Sequence, residues 1–137
     1  MTILRLKHTD YEAMIAHARD GLPNEACGLI AGKAYNHIKT VEKVYLMSNP
    51  DKSPEHFSID PKEQFAAVKD MRTLGLIPLG NFHSHPATPA RPSKEDIRLA
   101  YDPKASYLIL SLADEKFELK AFGISGGEVT PQTLEIV

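Results

Sequence analysis

The chain has a single cysteine, Cys27, and no tryptophan in 137 residues. One thiol excludes an intramolecular disulfide and any paired-cysteine metal knuckle, and it suits a reducing compartment. Aromatic residues make up only 7%, net charge is -2, and lysine and arginine form no run. Nucleic acid is therefore not an expected partner. No apolar stretch approaches the ~18 residues of a membrane-spanning helix, and Met1–Leu6 lacks the apolar centre of a signal peptide. A soluble, cytoplasmic protein is expected, with no membrane partner. Glycine-rich dinucleotide or phosphate-binding loops, repeats and low-complexity tracts are also missing.

What is present is balanced: 42% hydrophobic and 25% charged residues, enough in a chain of this length to bury a core unaided. Residues 1–137 read as one domain. Thr2–Leu6 suggests a first strand. Helical spacing of Tyr11, Met14, Ile15 and Ala18 predicts a helix from Asp10 to Arg19, capped by Thr9. Glu25–Gly32 reads as a buried strand whose glycines admit a close backbone, followed by a turn at Lys33–Asn36 and a strand from His37 to Met47. A short strand is expected at His56–Asp60. Asp60 and Pro61 then open a helix running to Leu74 and stopped by Gly75, with Phe65, Ala66, Val68 and Met71 inward. Leu76–Phe82, Ser106–Leu112 and Phe117–Ile124 read as strands, and Asp96–Tyr101 continues a short helix. Gly126-Gly127 turns into a last edge segment. The irregular alternation predicts an α/β chain with a mixed sheet and helices packed on it.

The chemistry gathers in Asn81–Asp96. Residues i and i+2 of a strand share a face, so His83 and His85 can aim both rings at one point while Ser84 faces away. Neutral imidazole is the commonest protein ligand for zinc, and a hydrolytic zinc site takes a third protein ligand. Asp96 is the candidate, brought back by a loop stiffened by Pro86, Pro89 and Pro92. Ser93 and Asp96 also fit the capping-box pattern of a helix start, and seen alone this is the favoured role, since capping boxes are far commoner than catalytic Ser/Asp pairs. A base is needed to take a proton from the attacking water and return it to the leaving amine. Glu25 is the first choice, with Glu95 a rival turned about 100° from Asp96 on the helix. Ser93 could donate to the oxyanion. His8, His17, His37 and His56 lack paired spacing and read as surface or ordinary core residues.

Glu25, then His83-Ser84-His85, seven residues, Ser93, two residues and Asp96 resembles the complete JAMM (MPN+) motif. The surroundings of Glu25 and the strand after the motif resemble the family too, across essentially the whole chain. The resemblance implies a cytidine-deaminase-like fold, a curved mixed β-sheet flanked by helices. It implies one Zn²⁺ held by His83, His85 and Asp96, with Glu25 as general base and Ser93 on the oxyanion side. It also implies a peptidase or isopeptidase acting after the C-terminal Gly-Gly of a ubiquitin-like or sulfur carrier protein. Carrier maturation, cysteine release and deconjugation are the possible settings, and the enzyme would be a free-standing monomer or homodimer. The carrier tail is expected to lie between Val44–Ser53 and the proline loop, added as a strand.

Three other readings remain at this level. A non-catalytic MPN scaffold would usually lack motif ligands, all of which are present. A nucleoside deaminase shares the fold, but its chemistry calls for HxE and PCxxC, which one cysteine cannot supply. An unrelated hydrolase with an HxH pair would not need the Ser-x2-Asp register.

Overall fold

The computed structural model describes residues 1–137. It contains seven strands: β1 (Ile3–Leu6), β2 (Cys27–Tyr35), β3 (Ile38–Met47), β4 (Ile77–His85), β5 (Ser106–Ser111), β6 (Glu118–Ser125) and β7 (Glu128–Ile136). Three helices accompany them, α1 (His8–Gly21), α2 (Pro61–Leu74) and α3 (Lys94–Arg98). The strands pair in the order β1-β3-β2-β4-β5-β6-β7 and close into a barrel. Pairing is mixed as expected: β1 is parallel to β3 and β7, and β4 is parallel to β5, while the remaining pairs are antiparallel. No helix is long and apolar enough to cross a membrane.

Closure into a barrel corrects the expected simple curved mixed sheet. Segment β7 is not an edge: it pairs with β6 on one side and with β1 from Ile3↔Thr133 to Leu6↔Ile136 on the other. This contact joins the two ends of the chain, and local alternation carries no information about it.

Several local expectations also shift. Helix α1 begins at His8 behind Lys7 and has no side-chain cap, so Thr9 lies inside the helix. Lys33–Tyr35 stay in β2, paired with Ile38–Thr40, and the turn narrows to Asn36 and His37, with Asn36 at φ 55. His56–Asp60 forms no ladder. Asn49 Oδ1 instead accepts from the Asp51 and Ser58 amides, and the Asp51 carboxylate holds Ser58 and His56. Helix α2 starts as expected, with Asp60 accepting from Lys62 N at 2.8 Å, and it ends on Gly75 in the left-handed region. Its inward residues are Ala67 and Met71, whereas Phe65 is 72% exposed. The helix has one small contact face, and Phe65, two residues before Ala67, lies about half a turn round from it with nothing to cover it.

Two apolar layers result. Leu4, Leu6, Met14, Ile30, Val41, Leu79, Phe82, Leu108 and Ala121 fill the barrel beneath α1. Cys27, Ala31 and Met47 face outward and pack under Ala67 and Met71 of α2. Gly28 carries no side chain because a Cβ there would meet Tyr45 O at 2.2 Å and the Phe82 ring at 2.3 Å.

One irregularity sets up the site. The β2–β4 register shifts between Ile30 and Ala31, which pair with Gly80 and Pro78. Leu79 is the extra residue of a bulge, so Leu79 and Phe82, three apart, both enter the core. Beyond the bulge Asn81, His83 and His85 take the outer, α2-side face. Gly80 permits this at φ 155, where a Cβ would lie 1.8 Å from Ser106 O.

Candidate metal centre

Strand β4 runs apolar up to Phe82 and ends in His83-Ser84-His85, all three nearly inaccessible to solvent. Parallel pairing with β5 places His85 opposite Ser111. The chain then turns through the prolines and is tied back at three points. Ser111 Oγ donates to Thr88 O (2.6 Å), Leu112 N donates to His85 O (3.0 Å), and Ala90 is buried. This fixes where α3 begins. Ser93 caps it, its Oγ accepting from Asp96 N at 3.0 Å while Asp96 Oδ2 accepts from Ser93 N at 2.9 Å. The capping box that the sequence suggested is therefore real, and it leaves Asp96 within reach of both histidines.

Asp96 Oδ2 lies 3.1 Å from both His83 Nε2 and His85 Nε2, which lie 3.0 Å from each other. His85 Nδ1 is 2.9 Å from Pro89 O. Donating its N–H there, the neutral ring turns its Nε2 lone pair toward the other two atoms. Phe57 stacks on the His83 ring at 4.6 Å between centroids and 24° between planes, fixing that ring as well.

Three electron-rich atoms thus face one point. Protons can bridge them only in pairs, whereas a single cation serves all three. A triangle with sides of 3.0, 3.1 and 3.1 Å puts each corner about 1.8 Å from its centre. That spacing is compatible with bonds of about 2.0–2.1 Å from all three atoms to one shared ion. The residues fit a metal ion, and His83, His85 and Asp96 are the cluster that could hold one.

The same contacts set the charges of the three residues. Burial lowers the His83 imidazole against the pull of Asp96. Burial also penalises protonated His85, yet the bonds to Asp96 and the Pro89 carbonyl leave it raised. For Asp96 burial acts upward, but hydrogen bonds from His83 and His85 prevail and hold the carboxyl far below the usual carboxylate range.

Glu25 lies just before β2, 4% exposed, with Oε1 buried and unpartnered in the protein. Burial pushes its carboxyl up to about 8; the His85 charge opposes this and the Asp96, Glu95 and Glu55 charges add to it. The fold thus brings Glu25 to the electrostatic reach of the triad from 58 residues upstream of His83. Glu95 is more exposed and lines a neighbouring cleft.

That cleft, of about 450 Å³, opens beside His83 and Asp96 between Phe57 and Ile59 on one wall and Leu99 and Tyr101 on the other, with Asn81 and Tyr107 also lining it. Of the Val44–Ser53 stretch expected to line the substrate path, Val44–Met47 border a different cleft with Ala66, Ala67 and Asp70, whereas Ser48 and Asn49 line a pocket with Glu25. Sequence patterns give no sign of Phe57, in a polar, proline-broken loop, nor of Asn49, whose Nδ2 donates to both Glu25 O (3.1 Å) and His56 O (3.0 Å).

Comparison with known proteins agrees with this fold. Residues 8–124 match the family model described as prokaryotic homologs of the JAB domain. The chain is 36% identical to the CysO-cysteine peptidase of Mycobacterium tuberculosis over 126 residues, 91% of this chain and 85% of that protein. It is 31% identical to the desampylase of Haloferax volcanii over 105 residues, covering 73% of this chain and 74% of the relative. The solution structure of protein DSY2949 from Desulfitobacterium hafniense superposes with a TM-score of 0.91 at 54% identity, covering 98% of this chain and 92% of that one.

Proposed function

The chain belongs to the prokaryotic JAB-domain family, and on that premise we propose that it is a zinc-dependent peptidase or isopeptidase. Its substrate is the amide bond after the C-terminal glycines of a ubiquitin-like or sulfur carrier protein. Relatives named a CysO-cysteine peptidase and a desampylase support the substrate class. The observation that carries the reading is the convergence of His83, His85 and Asp96 on one point, beside a buried carboxylate that no protein group satisfies.

In this reading His83, His85 and Asp96 hold Zn²⁺, which when bound acidifies water and polarises the scissile carbonyl. Glu25 takes the proton of the attacking water and delivers it to the leaving amine. Its raised pKa suits a group that must gain and lose a proton near neutral pH. Ser93 Oγ already accepts from Asp96 N, so its O–H remains free to donate to the oxygen of the tetrahedral intermediate. Phe57, Ile59, Leu99 and Tyr101 flank the approach and keep bulk water from the reacting carbonyl. Every barrel strand has neighbours on both sides, so a carrier tail adding as a strand would align with the unladdered His56–Ile59 segment. Residues 1–137 act as one catalytic domain in the cytoplasm.

Incubating the zinc-loaded protein with carriers ending in Gly-Gly-Cys, in Gly-Gly plus a short tail, or joined to a lysine, followed by mass spectrometry, tests this. At least one class should be cut after the second glycine. A chelator should stop the reaction, and Glu25→Gln should keep the metal but lose turnover. Stoichiometric zinc with no cleavage of any class would instead favour a binding scaffold.

A further inference from the structure

Glu25 and Ala26 lie outside the ladder, which stops at Cys27↔His83. Four hydrogen bonds hold this dipeptide. Two run to the loop after β3: Glu25 N donates to Ser53 O (2.8 Å) and Asn49 Nδ2 donates to Glu25 O (3.1 Å). The other two run to one residue, Ser84. Its amide donates to Ala26 O (2.9 Å), and its hydroxyl accepts from Ala26 N (2.8 Å). Ser84 is fully buried and points away from the imidazoles of its neighbours.

We propose that Ser84 is a positioning residue for Glu25, its hydroxyl setting the carboxylate at a fixed distance from the two histidines on either side of it. The inference rests on the peptidase reading above. Past Cys27 the chain leaves the ladder, and the hydroxyl receives an amide that regular pairing would have sent to a main-chain carbonyl. The residue between the ligands therefore ties their strand to the segment carrying the base, and no other hydrogen-bonding side chain joins Glu25–Ala26 to β4. The loop contacts alone leave Glu25 attached to a segment with no ladder of its own. Catalysis by a general base tolerates little displacement: an error of about 1 Å can cost about 100-fold.

The variants are Ser84→Ala, Ser84→Thr and Ser84→Cys, compared with Glu25→Gln. In Ser84→Ala, zinc should remain at one per chain and KM within about twofold, while kcat falls about 10- to 100-fold. Ser84→Thr, which keeps the hydroxyl, should recover most of the rate, and Ser84→Cys, a weaker acceptor, should fall between. Two readouts do not need turnover. The Ala26 amide should exchange with solvent at least about tenfold faster in Ser84→Ala, and the ¹³C resonance of the Glu25 carboxyl should broaden or split. An unchanged kcat in Ser84→Ala, when Glu25→Gln is inactive, overturns this inference and leaves the peptidase reading intact. A loss confined to zinc affinity overturns it too, because Ser84 would then act through the histidines. If the wild type cuts no carrier, the peptidase reading fails, and an unchanged Ala26 amide and Glu25 resonance sink the positioning role separately. If Ser84→Ala does not fold, Ser84→Cys carries the same comparisons.

Discussion

Ser93 and Asp96 hydrogen-bond to each other in both directions, and the oxygen of Asp96 that accepts from Ser93 N, Oδ2, is the one aimed at both imidazoles. One atom thus finishes a helix start and completes the triad. The serine hydroxyl is engaged as an acceptor only, which leaves its proton without a partner in the protein.

Ser93→Ala should therefore separate the two duties. The cap loss should cost about 1 kcal/mol of stability, measurable by urea denaturation. The loss of the donor should lower kcat about 10²- to 10³-fold with the metal retained. A change confined to KM would assign Ser93 to capping or docking alone.

The Glu25 carboxyl predicts an unusual stability profile for the metal-free protein. Its folded pKa, about 8, exceeds the ordinary carboxyl value of 4.5. Between these values the folded state keeps a proton that the unfolded state has released, so raising the pH favours unfolding. Stability should decline from pH 4.5 to about 8, by at most about 1.4 kcal/mol per unit, and Glu25→Gln should flatten the decline. Denaturation midpoints across that range provide the measurement.

Metal uptake should release a proton. His85 is held above its ordinary value in the metal-free protein, and the ion must replace whatever proton lies between its Nε2 and Asp96. Zinc affinity should fall about tenfold per pH unit once the pH drops below the raised pKa of His85, where the proton competes. Calorimetry in buffers of different ionisation enthalpy counts the proton directly; a count of zero at pH 6 would contradict the charge state described above.

Gly80→Ala should be among the most damaging single-methyl changes in the chain. The added carbon would lie 1.8 Å from Ser106 O, on a backbone at φ 155. A loss of at least about 2–3 kcal/mol is expected, together with impaired zinc binding, because the strand must shift ahead of His83.

The triad was legible because its constraints are local or nearly so. His83 and His85 sit two apart on a strand, and Ser93 and Asp96 lie three apart at a helix start, so spacing alone reports a shared face. Glu25 stood out as a lone carboxylate before an apolar strand and by resemblance to a motif, but what holds it there was hidden: Asn49 and Ser53 meet Glu25, and Ser84 meets Ala26, through tertiary contacts between segments far apart in sequence. The same limit hid the barrel. Each strand announced itself by apolar alternation, but the pairing of β1 with β7 joins residues some 130 positions apart, which no window along the chain contains. Phe57 and Phe65 show the opposite failure of local reading. The periodic Phe65 stays in solvent, while the unperiodic Phe57 lies flat on His83.

The extra residue at Leu79–Gly80 also governs which kinds of change β4 can accept. Side chains beyond it can be exchanged one at a time, each at its own cost. Length cannot vary: removing a single residue between Pro78 and Phe82 would rotate the whole end of the strand by half a turn. Phe82 and Ser84 would then face outward, and both imidazoles would enter the apolar barrel. Insertions and deletions that diversify such an enzyme must therefore fall elsewhere, in segments such as 48–60 and 99–105 that contribute no strand to the barrel. These segments supply Phe57, Ile59, Leu99 and Tyr101 to the walls beside the triad, so substrate choice can drift while the register of the metal ligands stays fixed.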